Sequence, residues 1–418
     1  MSSGTVYVIG AGISGLAASV ALASRGARVM LIEGAGQAGG RCRSYLDPVL
    51  GQLIDNGNHL ILSGNHATMT YLRAVGSADR LAGPEHARFP FVDVQSGARW
   101  IVAPNEGAIP WWVFSGKRRV PGTSATEYIA IAKLFGASSA KRIDEVIACT
   151  GPLWERLLRP LLLAALNTEP EASSAGLGAA VLRETLLKGG RAYRPRIASP
   201  HLAATFIDPA LDYLKRHGGD VRFGSRLRRI EFMDDRATTL DFADDPITLG
   251  ADDRVLLATP AWTAAELVPG LRTPTEFRSI VNAHFAIAPP PGASLMIGII
   301  GGMAEWVFAF SDRISVTVSG ADAIVDRDRE DLAKTLWRDV AVAHGLGPEL
   351  PAWQIVKERR ATFAATPEQA KHRAKAETRW PNLFLAGDWT DTGVPATIEG
   401  AVRSGNRAAE LALRNLAR

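Results

Sequence analysis

Residues 6–33 read VYVIGAGISGLAASVALASRGARVMLIE, and this stretch constrains the fold more than any other. Val6–Ile9 is a short apolar run, as expected of a strand buried on both faces. Gly10, Gly12 and Gly15 follow in G-x-G-x-x-G spacing. Gly10 permits a tight turn, Gly12 lets backbone approach a pyrophosphate, and Gly15 lets a helix pack close to the strand. The helix opens at Ile13 and Ser14, continues through Ala17–Ser24, and stops at Gly26. Its first N–H groups and positive end would face phosphate. Arg28–Ile32 is a second strand, and Glu33 at its end can accept hydrogen bonds from an adenosine ribose. A lone glycine triplet is a weak signal. Here it follows a strand, opens a helix and meets an acid at the expected distance, which favours a dinucleotide site over a purely structural βαβ unit.

The residues after Glu33 bear on which dinucleotide is bound. Gly34 is followed by Gly39-Gly40-Arg41, two glycines that admit close backbone approach and a cation that can neutralise phosphate. The far end carries LFLAGD at Leu383–Asp388 and TIEGAV at Thr397–Val402. These two motifs resemble the second and the closing flavin motifs of the amine oxidase and phytoene desaturase superfamily. The resemblance implies FAD rather than NAD, held without a covalent bond, since no Cys or His stands in a recognisable attachment motif. It also implies that Gly34, Gly39, Gly40 and Arg41 lie along the ribityl chain and pyrophosphate. Gly387 and Asp388 would meet a ribityl hydroxyl. The helix from Thr397, with Ile398 and Ala401, would aim its positive end at the pyrimidine ring. Asn56 and Gly57 would border the flavin ring, Leu227 the adenine, and Ala258 the pyrophosphate.

At 418 residues with 47% hydrophobic and 22% charged content, the chain can build a large core and is not disordered. A net charge of +4 is too diffuse for a nucleic-acid binder but suits an anionic membrane surface. Its two cysteines, Cys42 and Cys149, lack metal-ligand spacing, so we expect no metal and a reduced, cytoplasmic chain. No signal peptide is apparent, and no apolar run reaches ~18 residues, so membrane contact would be peripheral, on the inner face of the cytoplasmic membrane. Two stretches are candidates for that contact. Residues 109–122, IPWWVFSGKRRVPG, place aromatics before three cations, as an interfacial segment does; an ordinary loop with a buried Trp pair fits equally. In 151–187 the leucines at 153, 157, 158, 161, 162, 163 and 166 could line a tunnel, dip into a bilayer or fill a core.

The expected architecture is α/β: a Rossmann-like FAD-binding domain of the two-domain amine oxidase and GDI-like type, with an inserted α+β substrate domain. The FAD-binding domain is discontinuous, from 1–85, 205–265 and 376–418. The substrate domain takes 86–204 and 266–375, including a helical region at 123–187. Asp55-Asn56-Gly57 reads as a tight turn between two apolar strands, His66–Val75 as a helix, and Phe91–Val94 with Arg99–Val102 as a strand pair. Leu295–Ile300, Val307–Phe310 and Ile314–Ser319 read as strands, and Asp322–Trp337 as a helix.

Three further segments, DNGNH at 55–59, PLLLAALNT at 160–168 and GDWTDTGVPATIEGAVRSG at 387–405, resemble the hydroxysqualene dehydroxylase branch. Gly393–Ala396 holds no aromatic where amine oxidases commonly place one wall of an amine cage, which favours an apolar substrate. The resemblance implies a long isoprenoid substrate, loss of an allylic hydroxyl, and hydride delivery from reduced flavin, in hopanoid or related triterpenoid synthesis. It names no electron donor for the flavin. Hydroxide leaves poorly, so a general acid helps. His59, after the turn, is the catalytic candidate, with Tyr71, Tyr193 and Asp391 behind it. A histidine bonded to nearby backbone is the plainer alternative. The competing functions are a carotenoid-type desaturase, a flavin amine oxidase and a non-catalytic prenyl-binding protein.

Overall fold

The computed structural model describes residues 4–242 and 245–416. Thr5–Ile9 is the central strand of a five-stranded parallel sheet in the order 220–222, 28–32, 5–9, 254–257, 383–385. A parallel sheet is covered on both faces, so its inner strands are apolar without alternation, whereas the edge strand Asp220–Arg222 is polar and largely exposed. Val6, Val8, Leu31 and Leu256 face the helices Ile13–Ala23 and Ile398–Leu416 in one buried cluster. Ile9, Ile32, Val255, Leu257 and Leu385 join a second cluster on the opposite face. The two helices nearly touch, because a Cβ on Gly405 would overlap the Ser14 carbonyl. Glu399 fixes the closing helix to His66–Val75 by accepting from the Thr68 N–H (2.9 Å) and hydroxyl (2.7 Å).

A second sheet has seven strands in the order 353–363, 277–285, 314–318, 306–309, 296–300, 89–93, 99–102. Alternation separates its faces. Val281, Ala283, Phe285, Ile314 and Val316 pack with Leu336, Trp337 and Val340 of helix Arg329–His344. The register places Asn282 beside Thr317, and Thr317 beside Trp306. His284 lies beside Ser315, which lies beside Phe308. The same face therefore runs from polar to apolar across the sheet, and its apolar end joins the cluster formed by the segments at 111–184.

Several expectations shift. The two longest strands, Phe277–Phe285 and Trp353–Phe363, were not foreseen, because their polar residues break the apolar pattern. The helix expected from Asp322 starts at Arg329, where Asp328 caps it by accepting from the Glu330 (2.8 Å) and Asp331 (3.1 Å) N–H groups. Asp55-Asn56-Gly57 is not a hairpin turn. Gln52–Asp55 pairs with Ser44–Asp47, whereas Leu60–Leu62 pairs with Pro195–Ala198. Buried Asp55 explains this, since it accepts from the Ser44 hydroxyl (2.6 Å) and the Leu202 N–H (3.0 Å) and is anchored there. In 153–166, Leu153, Leu157, Leu158, Leu162, Leu163 and Leu166 are buried in protein rather than offered to a bilayer. No helix among the described residues is long and apolar enough to cross a membrane.

Candidate active site

Gly10 leaves its strand at φ +106°, a conformation that favours glycine. A Cβ there would come within 2.6 Å of the Ala258 carbonyl oxygen. Gly12 is the residue before helix Ile13–Ala23, and its outer side meets no protein atom within 4 Å. Gly39 (φ +110°) and Gly40 (φ +55°) fold a second loop against the first. The Gly39 N–H donates to the Ala11 carbonyl (2.8 Å), and a Cβ on Gly40 would stand 3.6 Å from the Gly12 Cα. Ile13 and Ser14 are buried in the helix's first turn. The result is a lip of bare backbone at a helix start, whose first N–H groups lack intrahelical partners. Such a cradle fits a pyrophosphate by shape and by charge.

Glu33 braces that lip. One carboxylate oxygen accepts from the Ala11 N–H (2.7 Å), the other from the Ala35 N–H (2.8 Å). Each oxygen keeps a lone pair for a ribose hydroxyl. Gly34 packs beside Arg226, Leu227 is buried, and Ala258 donates its N–H to the Ile9 carbonyl (2.8 Å).

The C-terminal motif meets the second loop directly. Arg41 donates to Asp388 (2.7 Å) and to the Ala361 carbonyl of the seven-stranded sheet. Asp388 is buried. The Gly387 N–H donates to the Ser404 hydroxyl (2.9 Å), while the neighbouring Trp389 indole donates to the Thr259 carbonyl (3.0 Å). Arg373, which the sequence did not single out, holds this loop through the Asp388 and Thr390 carbonyls and the Thr392 hydroxyl. Burial lowers its pKa to about 10. Thr397 accepts from the Gly400 N–H (3.1 Å) at the start of the closing helix, where Ile398 and Ala401 are buried.

Between the two sheets lies the segment Asn56–His59. The Asn56 amide donates to Glu358 (3.3 Å) and to the Arg41 carbonyl (3.4 Å). Gly57 lies under the Asn282 amide, leaving 3.1 Å to a notional Cβ. Asn58 donates to Thr317 (3.1 Å), and Thr317 donates to Asn282 (2.8 Å). Asn58, Asn282, Thr317 and Glu358 were not singled out from sequence. The usable signal was a threonine inside an apolar strand; Asn282 and Glu358 sat on strands that went unrecognised.

His59 is half-buried, with Nε2 3.7 Å from the Cys42 sulfur. Burial and the Arg41 cation lower its pKa to about 4, partly offset by a hydrogen bond to the Arg41 backbone. The ring is therefore neutral at pH 7. Burial pushes the Cys42 thiol up to about 12, so it is not a thiolate. Nearby, His284 is fully buried against Ser315 (2.8 Å), and its pKa falls to about 3 through burial and the Arg313 cation. Arg313 is itself buried beside Asp55 (3.6 Å). None of the weaker candidates bonds to His59 among the described residues. Tyr71 shares a buried cluster with Cys42 but donates to the Phe206 carbonyl (2.6 Å), Tyr193 stacks on Phe89, and Asp391 is exposed. No metal-ligand cluster is present among the described residues.

A glycine cradle, a bracing acid and a closing helix converging beneath a mixed sheet define a flavin-dependent oxidoreductase. The chain belongs to the flavin containing amine oxidoreductase family, which matches residues 13–413. Within it the chain groups with the hydroxysqualene dehydroxylases. It is 54% identical to that of Rhodopseudomonas palustris over 98% of this chain and 99% of the relative, and 52% identical to that of Sinorhizobium fredii over 98% of each. Carotenoid desaturases match at 22–24%. Among solved structures, cyclohexylamine oxidase from Brevibacterium oxydans superposes with TM-score 0.73 at 15% identity, covering 99% of both chains; this likeness is one of fold.

Proposed function

We propose that this chain reductively dehydroxylates hydroxysqualene to squalene with noncovalently held FAD. The single observation that carries the reading is chain-long identity above half to a hydroxysqualene dehydroxylase. Overall, allylic alcohol, hydride and proton give alkene and water. FAD, when bound and reduced, supplies the hydride.

The protein's residues do the rest. Gly10, Gly12, Gly39 and Gly40 hold the pyrophosphate, Glu33 the ribose, and Asp388 with Arg41 the ribityl chain. His59 protonates the departing hydroxyl, and the Asn58–Thr317–Asn282 chain orients it. The apolar strip from Phe308 and Trp306 to Phe91 carries the polyene and keeps water from the cation. The buried thiol of Cys42 makes a poor attachment point, which supports noncovalent binding. The proposed domains are 1–85, 205–265 and 376–418 for cofactor and 86–204 with 266–375 for substrate, a division supported by the five-stranded sheet drawing its strands from the first set and the seven-stranded sheet from the second. The strand Pro195–Ala198 crosses over to pair with Leu60–Leu62.

The test is anaerobic. The protein is reduced until its yellow bands bleach, and hydroxysqualene is added. Return of the oxidised bands with squalene in matching yield is expected. A flavin that stays bleached with dispersed substrate refutes the reading, and polyene oxidation by the oxidised protein would replace it with a desaturase. Acid precipitation should release the yellow colour into the supernatant.

A further inference from the structure

We infer that an exposed apolar face built from 109–114, 129 and 187 docks on an anionic bilayer. Ile109 is 79% exposed, Trp111 51%, Phe114 72%, Ile129 62% and Leu187 46%. Large apolar side chains this open are costly when clustered, and clusters of them mark interaction surfaces. The segments that carry them are tied together. Trp112, buried between Trp111 and Phe114, packs edge-on against Tyr128 at 5.3 Å, which joins the first turn to helix Ala125–Ala130 and its Ile129. The Gly190 N–H donates to the Asn105 carbonyl (2.7 Å), which draws the loop of Leu187 against the segment leading to Ile109.

The charge around the face decides the occupant. Lys117, Arg118 and Arg119 follow directly, and none forms an ion pair among the described residues; Lys117 is exposed, while Arg118 and Arg119 are half-buried and donate in part to the Ala103 (2.8 Å) and Val113 (2.9 Å) carbonyls, keeping their charge and remaining donors. Arg118 lies over the Trp111 ring, 4.7 Å from its centre, so the cation and the aromatic sit at one level. Two of the local acids are neutralised by ion pairs, Glu184 with Lys188 (2.6 Å) and Glu106 with Arg194 (2.6 Å). Glu127 accepts from the Ser124 N–H (2.7 Å) and keeps its charge, so the three cations outnumber it. Apolar side chains with aromatics at the edge and unpaired cations beside them match a headgroup layer: rings in the boundary, cations on phosphates. Behind the face, Trp112, Val113 and Tyr128 belong to the same buried cluster as Trp306, Phe308 and Trp389. An apolar interior thus runs from the docking face to the closing flavin motif. The link to catalysis rests on the proposed function, because a polyene that partitions into lipid would be taken from the membrane; the docking itself does not.

The test uses the full, flavin-loaded chain and flotation with phosphatidylcholine vesicles, with and without 30% phosphatidylglycerol (about one lipid in three). Co-flotation is expected with the anionic vesicles, weaker by roughly ten- to hundredfold with neutral ones from the loss of the cation contacts. It should weaken further as salt shortens the screening length. Ile109→Ser/Trp111→Ser/Phe114→Ser should abolish flotation while keeping detergent-dispersed turnover and the flavin spectrum. Val49→Ser, on the separate exposed hairpin at 44–55, should float as wild type. Wild-type protein that stays in the pellet, or a triple variant that still floats, overturns the inference. So does a wild-type dimer, made monomeric by the triple substitution, that never floats; the face would then be covered by a second copy. Loss of turnover with intact flotation would instead count against the proposed reaction.

Discussion

The strongest test of the mechanism is the pH dependence of the chemical step. His59 has a pKa of about 4, set by burial and by the Arg41 cation. At pH 7 roughly one ring in a thousand carries the second proton, at a cost of about 4 kcal/mol. An imidazolium that acidic is a strong donor to a departing hydroxyl but is rarely present. Single-turnover rates from pre-reduced protein should therefore fall about tenfold for each unit of pH between 5.5 and 8. Replacing His59 by Gln keeps hydrogen bonding but removes the titrating proton. The variant should be slower at pH 5.5 by roughly 10²–10⁴ and nearly flat in pH, with its flavin still bound. Stopped-flow absorbance of the returning oxidised bands reads both quantities without involving the electron donor. A flat wild-type profile, or a His59→Gln profile with the same slope, would refute His59 as the proton source.

Other consequences are equally direct. His284, buried and held near pKa 3, is protonated more readily in the unfolded chain, so stability should decline as pH falls from 6.5 toward 3, by about 1.4 kcal/mol per unit. Urea midpoints at pH 7 and 5 should show about 2 kcal/mol of loss that His284→Gln lacks. Glu33→Ala removes the acceptor of two backbone N–H groups, and fluorescence titration should show FAD affinity lowered by roughly ten- to hundredfold. Gly405→Val forces the closing helix off Ser14; it should cost about 1–3 kcal/mol and yield paler protein at the absorbance maximum of the flavin. Arg373→Met frees three acceptors of the 388–392 loop and should weaken FAD retention during gel filtration, while Arg373→Lys should restore part of it.

Local rules made the cofactor side legible. Glycines at 10, 12, 39 and 40 stand where backbone must turn or approach closely, and an acid must end the second strand of such a unit. Both requirements concern neighbours in sequence, so spacing alone exposes them. The strands Val6–Ile9 and Arg28–Ile32 were legible because side chains on both of their faces are buried. The resemblance of 55–59, 160–168 and 387–405 carried the branch, and chain-long identity agrees with it.

Long-range pairing decided the rest. Nothing local to Asp55 says that Leu202 and Arg313 hold it, and those partners keep 52–62 from closing as a hairpin. The polar chain over the site joins residues 58, 282 and 317: strand register sets 282 beside 317, and the 56–59 segment carries 58 to them across more than 200 positions of chain. His59 could be named from sequence, but not its neutral state, which comes from burial and from the Arg41 charge. The aromatic-basic run at 109–122 was readable as either loop or interface. The fold buries Trp112 and leaves Trp111 and Phe114 outside, a division set by which ring packs on Tyr128. Sequence fixes what each short segment can do, because backbone sterics and burial patterns act over a few residues. Tertiary structure assigns partners, because dielectric environment, charge pairing and register depend on residues hundreds of positions apart.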